Sequence, residues 1–189
     1  IGGCLYLMNN IADGEFIQNA RKQLLVNTVL FLPFFLGFLA WILTKDGFAY
    51  DANGVVSLVA YKYAINLIEM PIAGILLLVG VLLVLVGIFQ GAFTKSIRGI
   101  FAYGVGVTLA VTALFLITGL NGTAFYPSFS DLSSSLTIKN ASSSHYTLGV
   151  MAYVSLLVPV VLAYIFIVWR AIDSKKITQD EIKNDHHAY

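Results

Sequence analysis

The sequence predicts an all-α integral membrane protein: four transmembrane helices, preceded by the end of another helix. Three observations carry this: the bulk composition, four long apolar runs, and the placing of basic residues between them. Apolar residues make up 58% of the chain and charged residues 11%, with a mean hydropathy of +0.83. Soluble domains average about 45–50% and about 25%. A water-soluble domain of 189 residues has too little interior to hide so much apolar surface, so lipid is the solvent. The net charge of +1 says nothing about nucleic acid, and no basic stripe exists to hold phosphates, so no nucleic-acid partner is expected. A lone cysteine, Cys4, excludes an intrachain disulfide and any multi-thiolate metal site; it reads as a small hydrophobe.

The opening "IGGCLYLMN" reads as the last turns of a helix begun upstream, so residues 1–189 are expected to form a single membrane-domain fragment of a longer protein. The apolar runs follow at 24–43, 71–89, 100–120 and 148–169, none containing a charged residue. Each approaches or exceeds the roughly 20 residues that cross a bilayer. Each must be helical, because hydrocarbon leaves peptide groups no other partner. Pro33 and Pro159 fall inside the first and fourth runs and are expected to kink them.

The loops set the orientation. Arg21 and Lys22 precede the first run, Lys95 and Arg98 separate the second from the third, and Arg170, Lys175, Lys176 and Lys183 follow the fourth. That side holds eight of the eleven basic residues; the other holds Lys45, Lys62 and Lys139. The positive-inside rule places the basic side, with the tail 170–189, in the cytoplasm. The longer loops, 44–70 and 121–146, then face outward. Trp41 and Tyr126 mark outer ends of spans, Tyr103 and Trp169 inner ends, depths that amphipathic rings prefer.

Small residues are spaced for close helix contact: Ala73, Gly80 and Gly87 at every seventh position, Ala102, Gly106 and Ala110 at every fourth. In the loop 55–68, Lys62 and Asn66, with Glu69 just beyond, stand at helical spacing among apolar residues. That fits a short helix lying on the outer membrane surface. Glu69 and Pro71 suit the start of the second span, where an acid meets the positive dipole end.

The candidates for chemistry are few. No span carries an ionisable side chain, the usual mark of an ion or proton path. His145 at the start of the fourth span reads as a solvated pre-helix residue or a donor to a lipid or partner. His186 and His187 lie in a polar tail. "DGFAYDANG" offers Asp46, Asp51 and Asn53 but lacks the alternate-position ligands of a calcium loop, so it reads as turn chemistry. Asn121-Gly-Thr and Asn140-Ala-Ser are glycosylation sequons. Glu69 is the acid at an outer boundary, read either as a contact to a quinone head group or neighbouring subunit, or as a helix-start charge. Ser142, Ser143, Ser144 and Thr147 are placed to accept from the free N–H groups opening the fourth span. The upstream "SLTIKN" is left without a physical reason.

That stretch nevertheless carries a likeness. "FYPSFSDLSSSLTIKNASSSHYTLGVM" followed by "LLVPVVLAYIFIVWR" resembles the last loop and last helix of subunit II of cytochrome bd-type quinol oxidases. The shared features are Tyr126-Pro127, Ser135-Leu136-Thr137, Asn140-Ala141-Ser142-Ser143, Thr147-Leu148, Pro159 and Tyr164. Upstream the likeness is weaker, in hydropathy and loop position.

The resemblance implies the second half of an eight-helix subunit in a respiratory complex of the bacterial inner membrane, coupling quinol oxidation to reduction of dioxygen to water. It implies that haems b and d sit in the partner, subunit I, of a heterodimer; that this subunit binds no haem; and that quinol and membrane lipid are its other partners. A structural quinone in these helices is left open. The family's acidic proton-path residues belong mainly to the first half, so no catalytic, cofactor-binding or metal-binding residue is assigned here. Other members can have uncharged residues where this chain has Glu69-Met70-Pro71, which argues against a general role for Glu69. The rival readings are half of a secondary transporter and a membrane assembly protein without a redox partner.

Overall fold

The computed structural model describes residues 1–94, 98–172, 176 and 178. Lys95, Lys175, Lys183, His186, His187 and most of the expected tail lie outside the described residues.

A short helix, α1 (Gly2–Asn10), turns at Ile11 into the long α2 (Gly14–Thr44). α2 starts well before the apolar run at 24 because Asp13 caps it: its carboxylate accepts from the N–H groups of Glu15, at 2.9 Å, and Phe16, at 3.5 Å. Its first turns are amphipathic and lay Phe16, Ile17 and Ala20 against Leu5 and Met8 of α1. Cys4 joins that cluster as a partly buried apolar contact. α2 runs unbroken through Pro33.

An antiparallel hairpin follows, β1 (Gly47–Tyr50) with β2 (Val56–Val59), in the register Gly47 to Val59 and Tyr50 to Val56. It adds two short strands to an otherwise helical fold, and β2 takes residues first assigned to the surface helix. That helix, α3 (Lys62–Glu69), is shorter than expected and is entered through Tyr61 in the left-handed region, φ 54°. Met70 separates it from α4 (Pro71–Phe93), which opens on its proline as expected, and α5 (Gly99–Gly119) returns antiparallel. The loop beyond holds a single 3₁₀ turn at Leu132–Ser134 and α6 (Ile138–Ala141). The last span is two helices, α7 (His145–Ser155) and α8 (Val158–Ile172). Pro159 explains the break: its ring collides with the carbonyl of Ser155, where α7 ends. Among the described residues, four helical segments are long and apolar enough to cross a membrane, α7 and α8 together making the fourth.

The bundle is built on α4 and α5. An added Cβ at Gly80 would sit 2.6 Å from the Ala110 nitrogen, and one at Gly106 2.7 Å from the Gly80 oxygen. Gly87 and Gly99 repeat the arrangement one turn-pair further on, each Cβ falling 2.5–2.7 Å from the other's carbonyl oxygen. Small side chains let two backbones touch, which is how helices adhere where lipid is as apolar as leucine. The expected stripe on α4 is the seam observed. On α5 it runs through Gly99, Gly106, Ala110 and Ala113, whereas Ala102 is only half-buried.

The bundle has two unlike ends. At the α1 end lies the cluster of Leu5, Met8, Ala20 and Leu24, closed by Gly91. Arg21 donates from Nη2 to the Thr94 carbonyl at the end of α4, at 2.6 Å. The opposite, loop-rich end carries the hairpin, α3 and the segment after α5.

Candidate functional site

The densest polar arrangement in the described residues lies at the loop-rich end and starts from three side chains of one helix. Lys62 and Asn66, one turn apart on α3, face inward and are 8% and 0% exposed. Glu69 follows at the rim, exposed to its surroundings. They meet the chain as it leaves α5, where Asn121 and Gly122 take successive left-handed conformations, φ 57° and 65°. Asparagine and glycine tolerate that region best. The turn reverses the chain so that Thr123 pairs with Ala49 of β1, the Ala124 N–H donates to the Phe48 carbonyl at 2.8 Å, and the Tyr50 N–H donates to the Gly122 carbonyl at 2.8 Å.

Asn66 sits at the centre. Its Nδ2 donates to the Ile117 carbonyl, one of the last carbonyls of α5, and to Thr123 Oγ1, both at 2.7 Å. Its Oδ1 accepts from Asn121 Nδ2 at 3.0 Å, and the same Nδ2 donates to Glu69 Oε2. Lys62 Nζ donates to the Asn121 carbonyl at 2.8 Å, placing an ammonium beside the negative end of α5. Buried polar groups cost free energy unless bonded, and this set is bonded within the chain. It contains no nucleophile held by a base. Its chemistry is positional: it fixes α3, the end of α5 and the hairpin to one another.

The sequence brought Lys62, Asn66 and Glu69 together correctly but aimed Glu69 at the start of α4. The structure makes it the last residue of α3, bonded to Asn121. Asn121 and Thr123, read as a sequon, belong to this network; the signal available for them was the Asn-Gly pair, a strong left-handed turn former.

The serine-rich stretch now has its physical account. Ser135 is fully buried and its Oγ accepts from the Ser128 N–H at 3.0 Å. Tyr126 and Leu136 form a bridge that closes the loop. Thr137 and Asn140 make a reciprocal capping box on α6: Asn140 N–H to Thr137 Oγ1 at 3.2 Å, Thr137 N–H to Asn140 Oδ1 at 2.7 Å. Ser142 Oγ donates to the Ile138 carbonyl, and Ser144 caps α7 by accepting from the Thr147 N–H at 3.3 Å. The stretch thus folds the loop on itself through Ser135 and Leu136 and closes helix ends through Thr137, Asn140, Ser142 and Ser144. Lys139 ties it to the hairpin tip through the Ala52 carbonyl, at 2.8 Å.

The remaining candidates are quickly placed. Asp51 is a turn residue: N–H groups of Val55 and Asn53 donate to its carboxylate at 2.8 and 2.9 Å, and the Val55 bond leads in holding its pKa below the usual carboxylate value. Asp131 is lowered in the same way, by the Ser133 N–H at 2.9 Å. Asp46 is exposed ahead of β1, and His145 is the exposed first residue of α7. Tyr103, expected as an interface anchor, is half-buried against the α1 cluster, and Trp169 meets Tyr6 edge-on at 5.9 Å. Among the described residues, no three of His, Cys, Asp or Glu could hold one metal ion.

The structure also has an apolar cavity the sequence did not announce. It measures about 260 Å³ between α2, α4 and α5, and Phe31, Phe35, Val84 and Val111 are in its wall. Thr28 adds a hydroxyl, but that group donates to the Leu24 carbonyl at 2.7 Å. The cavity suits hydrocarbon, not a polar head.

A comparison with curated proteins returns no match. A family does match, described as cytochrome bd terminal oxidase subunit II, over residues 1–172. With its four apolar spans, the chain therefore belongs to the cytochrome bd terminal oxidase subunit II family.

Proposed function

We propose that this chain is the non-haem subunit of a quinol:dioxygen oxidoreductase, holding the haem-bearing subunit I in place while quinol is oxidised and dioxygen reduced to water there. The observation that carries this reading is the family match over residues 1–172, which makes the chain a subunit of a respiratory oxidase with a partner. The described residues do not fit a haem. The single described histidine, His145, is exposed at a helix start, and Met8 is packed in the cluster of Leu5, Ala20 and Leu24. This reading assigns haems b and d to the partner, as the family resemblance implies. Residues 1–189 supply the second half of an eight-helix subunit, and this reading assigns them no catalytic residue.

The orientation belongs to the same proposal. Basic residues concentrate at the α1 end and beyond α8, which supports a cytoplasmic α1 end and C-terminus in the bacterial inner membrane, with the loop-rich end outside. Quinol and lipid are the remaining partners, and the apolar cavity has room for part of a hydrocarbon tail.

Purification of the complex through a tag on this subunit tests the function. Co-eluting b- and d-type haem absorbance with quinol-dependent oxygen uptake is expected. A colourless preparation that moves solute across vesicles would overturn it in favour of a transporter, and a colourless one without flux in favour of an assembly protein.

A further inference from the structure

The last span is bare: among the described residues neither α7 nor α8 buries a side chain. Its inner end is nevertheless held. Trp169 of α8 meets Tyr6 of α1 edge-on at 5.9 Å, while another face of α1 sets Leu5 and Met8 into the cluster with Ala20 and Leu24 of α2. α1 thus stands between α8 and the bundle, and a helix with its side chains is about 10–12 Å across.

The groove that α1 occupies continues past its start. α1 and α2 are antiparallel arms joined at Ile11, and Gly2 lies beside α5, where an added Cβ would fall 3.1 Å from Cε1 of Tyr103. Tyr103 packs on the α1 cluster and also lines the apolar cavity of about 260 Å³ between α2, α4 and α5. Thr28 lines it too, one turn past the fully buried Leu24. The cavity is therefore the seat of α1 carried further along the same helices.

We propose that the chain before Ile1 continues α1 as a transmembrane helix, seated in this cavity on one side and covered by α7 and α8 on the other. The proposal rests on the reading of residues 1–189 as the second half of a longer subunit. One helix then accounts for both features, the open groove and the bare span. A lipid tail would fit the cavity, but it would leave α7 and α8 with nothing to pack on beyond Tyr6. The walls set the chemistry of the occupant. Phe31, Phe35, Val107 and Val111 are apolar, and the Thr28 hydroxyl is spent on the Leu24 carbonyl. The seated face therefore carries apolar side chains and adheres by dispersion.

The test is photocrosslinking in the complete oxidase complex in its native membrane. p-Benzoylphenylalanine replaces Phe31 in the cavity wall or, separately, the exposed Leu162 of α8, about two turns outward of Trp169. Mass spectrometry of the products is expected to find one and the same peptide captured from both positions, within roughly the ten residues before Ile1 at 1.5 Å of rise per residue. Capture of a subunit I peptide from either position would overturn the proposal by giving the cavity or the span another cover. Adducts to lipid alone at Phe31 would overturn it by showing an open groove, and capture of two separate helices would deny the shared seat. Should the Phe31 variant fail to assemble, Phe35 reads the same wall with the same outcomes. Haem absorbance of the same preparation judges the oxidase reading separately, so other crosslinks in a coloured complex sink the seated helix alone.

Discussion

The α4–α5 hairpin and the α7–α8 span are both long and apolar enough to cross a membrane, and they are packed in opposite ways. α4 and α5 bury Gly80, Gly87, Gly99, Gly106 and Ala110 along one seam, backbone against backbone. Neither α7 nor α8 has a buried residue, and Gly149 on α7 has no neighbour within 4 Å. Hydropathy reports only that a segment prefers lipid to water. What decides whether two such segments adhere is the spacing of residues small enough to let dispersion act over the whole contact. α4 and α5 carry that spacing. The chain therefore contains one self-sufficient hairpin and one span that gains little from its own neighbours.

The sharpest way to break this contrast is to fill the seam. Gly106→Leu places its Cβ 2.6 Å from the Val84 nitrogen, a backbone atom that cannot swing aside. The cost should lie at or above the top of the ~1–3 kcal/mol typical of overpacking. Fluorescence-detected size-exclusion chromatography of the complex should show most of the assembled peak lost. Gly104→Ala and Gly149→Ala, where nothing stands within 4 Å, should leave it unchanged. Equal loss at all three would mean that the seam is not what holds the hairpin.

The next effect lies at the loop-rich end, where polar bonds do what glycines do in the seam. Asn66→Leu leaves the Ile117 carbonyl and Thr123 Oγ1 without their donor. Each unsatisfied buried group costs about 1–3 kcal/mol, so the melting temperature of the complex should fall clearly. Lys62→Met removes one bond and also one buried charge, and should cost less. Thermal unfolding of the two variants side by side checks the order; a larger loss for Lys62→Met would make the ammonium, not the amide, the centre of the network.

What could be read in advance divides along the same line. The spans were legible because hydropathy acts locally, and the seam because small residues recur at fixed intervals. Turn chemistry at Asp51 and capping at Ser144 were legible because those side chains bond within four residues. The network was only half legible: Lys62, Asn66 and Glu69 share a helix, but Asn121 and Thr123 reach them across more than fifty positions of sequence. The hairpin was missed although Asn53-Gly54 signals a turn, because its strands sit in a loop that hydropathy had set aside. The extension of α2 back to Gly14 was missed since its amphipathic turns pack on α1, outside the apolar run. "SLTIKN" stayed opaque because Ser135 bonds Ser128 and Thr137 bonds Asn140, a fold of the loop on itself.

A smaller effect belongs to the caps. Thr137→Val removes the hydroxyl that closes the box on α6, and Ser144→Ala the acceptor that opens α7. Such losses run about 0.5–2 kcal/mol. Because α7 has no buried residue of its own, Ser144→Ala should raise hydrogen exchange in its first turn while α4 and α5 keep theirs. Loosening that spread into the hairpin would contradict the independence of the two regions.

The smallest expected effect is an acid one, confined to the exposed turns. Asp51 has its pKa lowered from 3.8, chiefly by the Val55 N–H, and Asp131 likewise by the Ser133 N–H. A carboxyl group with a depressed folded pKa adds stability that is present above its unfolded value and is lost as pH falls through the folded one. The turn at Asp51 should therefore keep constant protection through the neutral range and loosen only below 3.8. Hydrogen-exchange protection of the Val55 and Ser133 amides, followed against pH, measures this directly. Asp51→Asn should abolish the acid step at Val55 and leave the one at Ser133. The glycine seam has no titratable group and should show no step over the same range, so a concerted loss in both places would mean that the turns and the hairpin unfold as one unit.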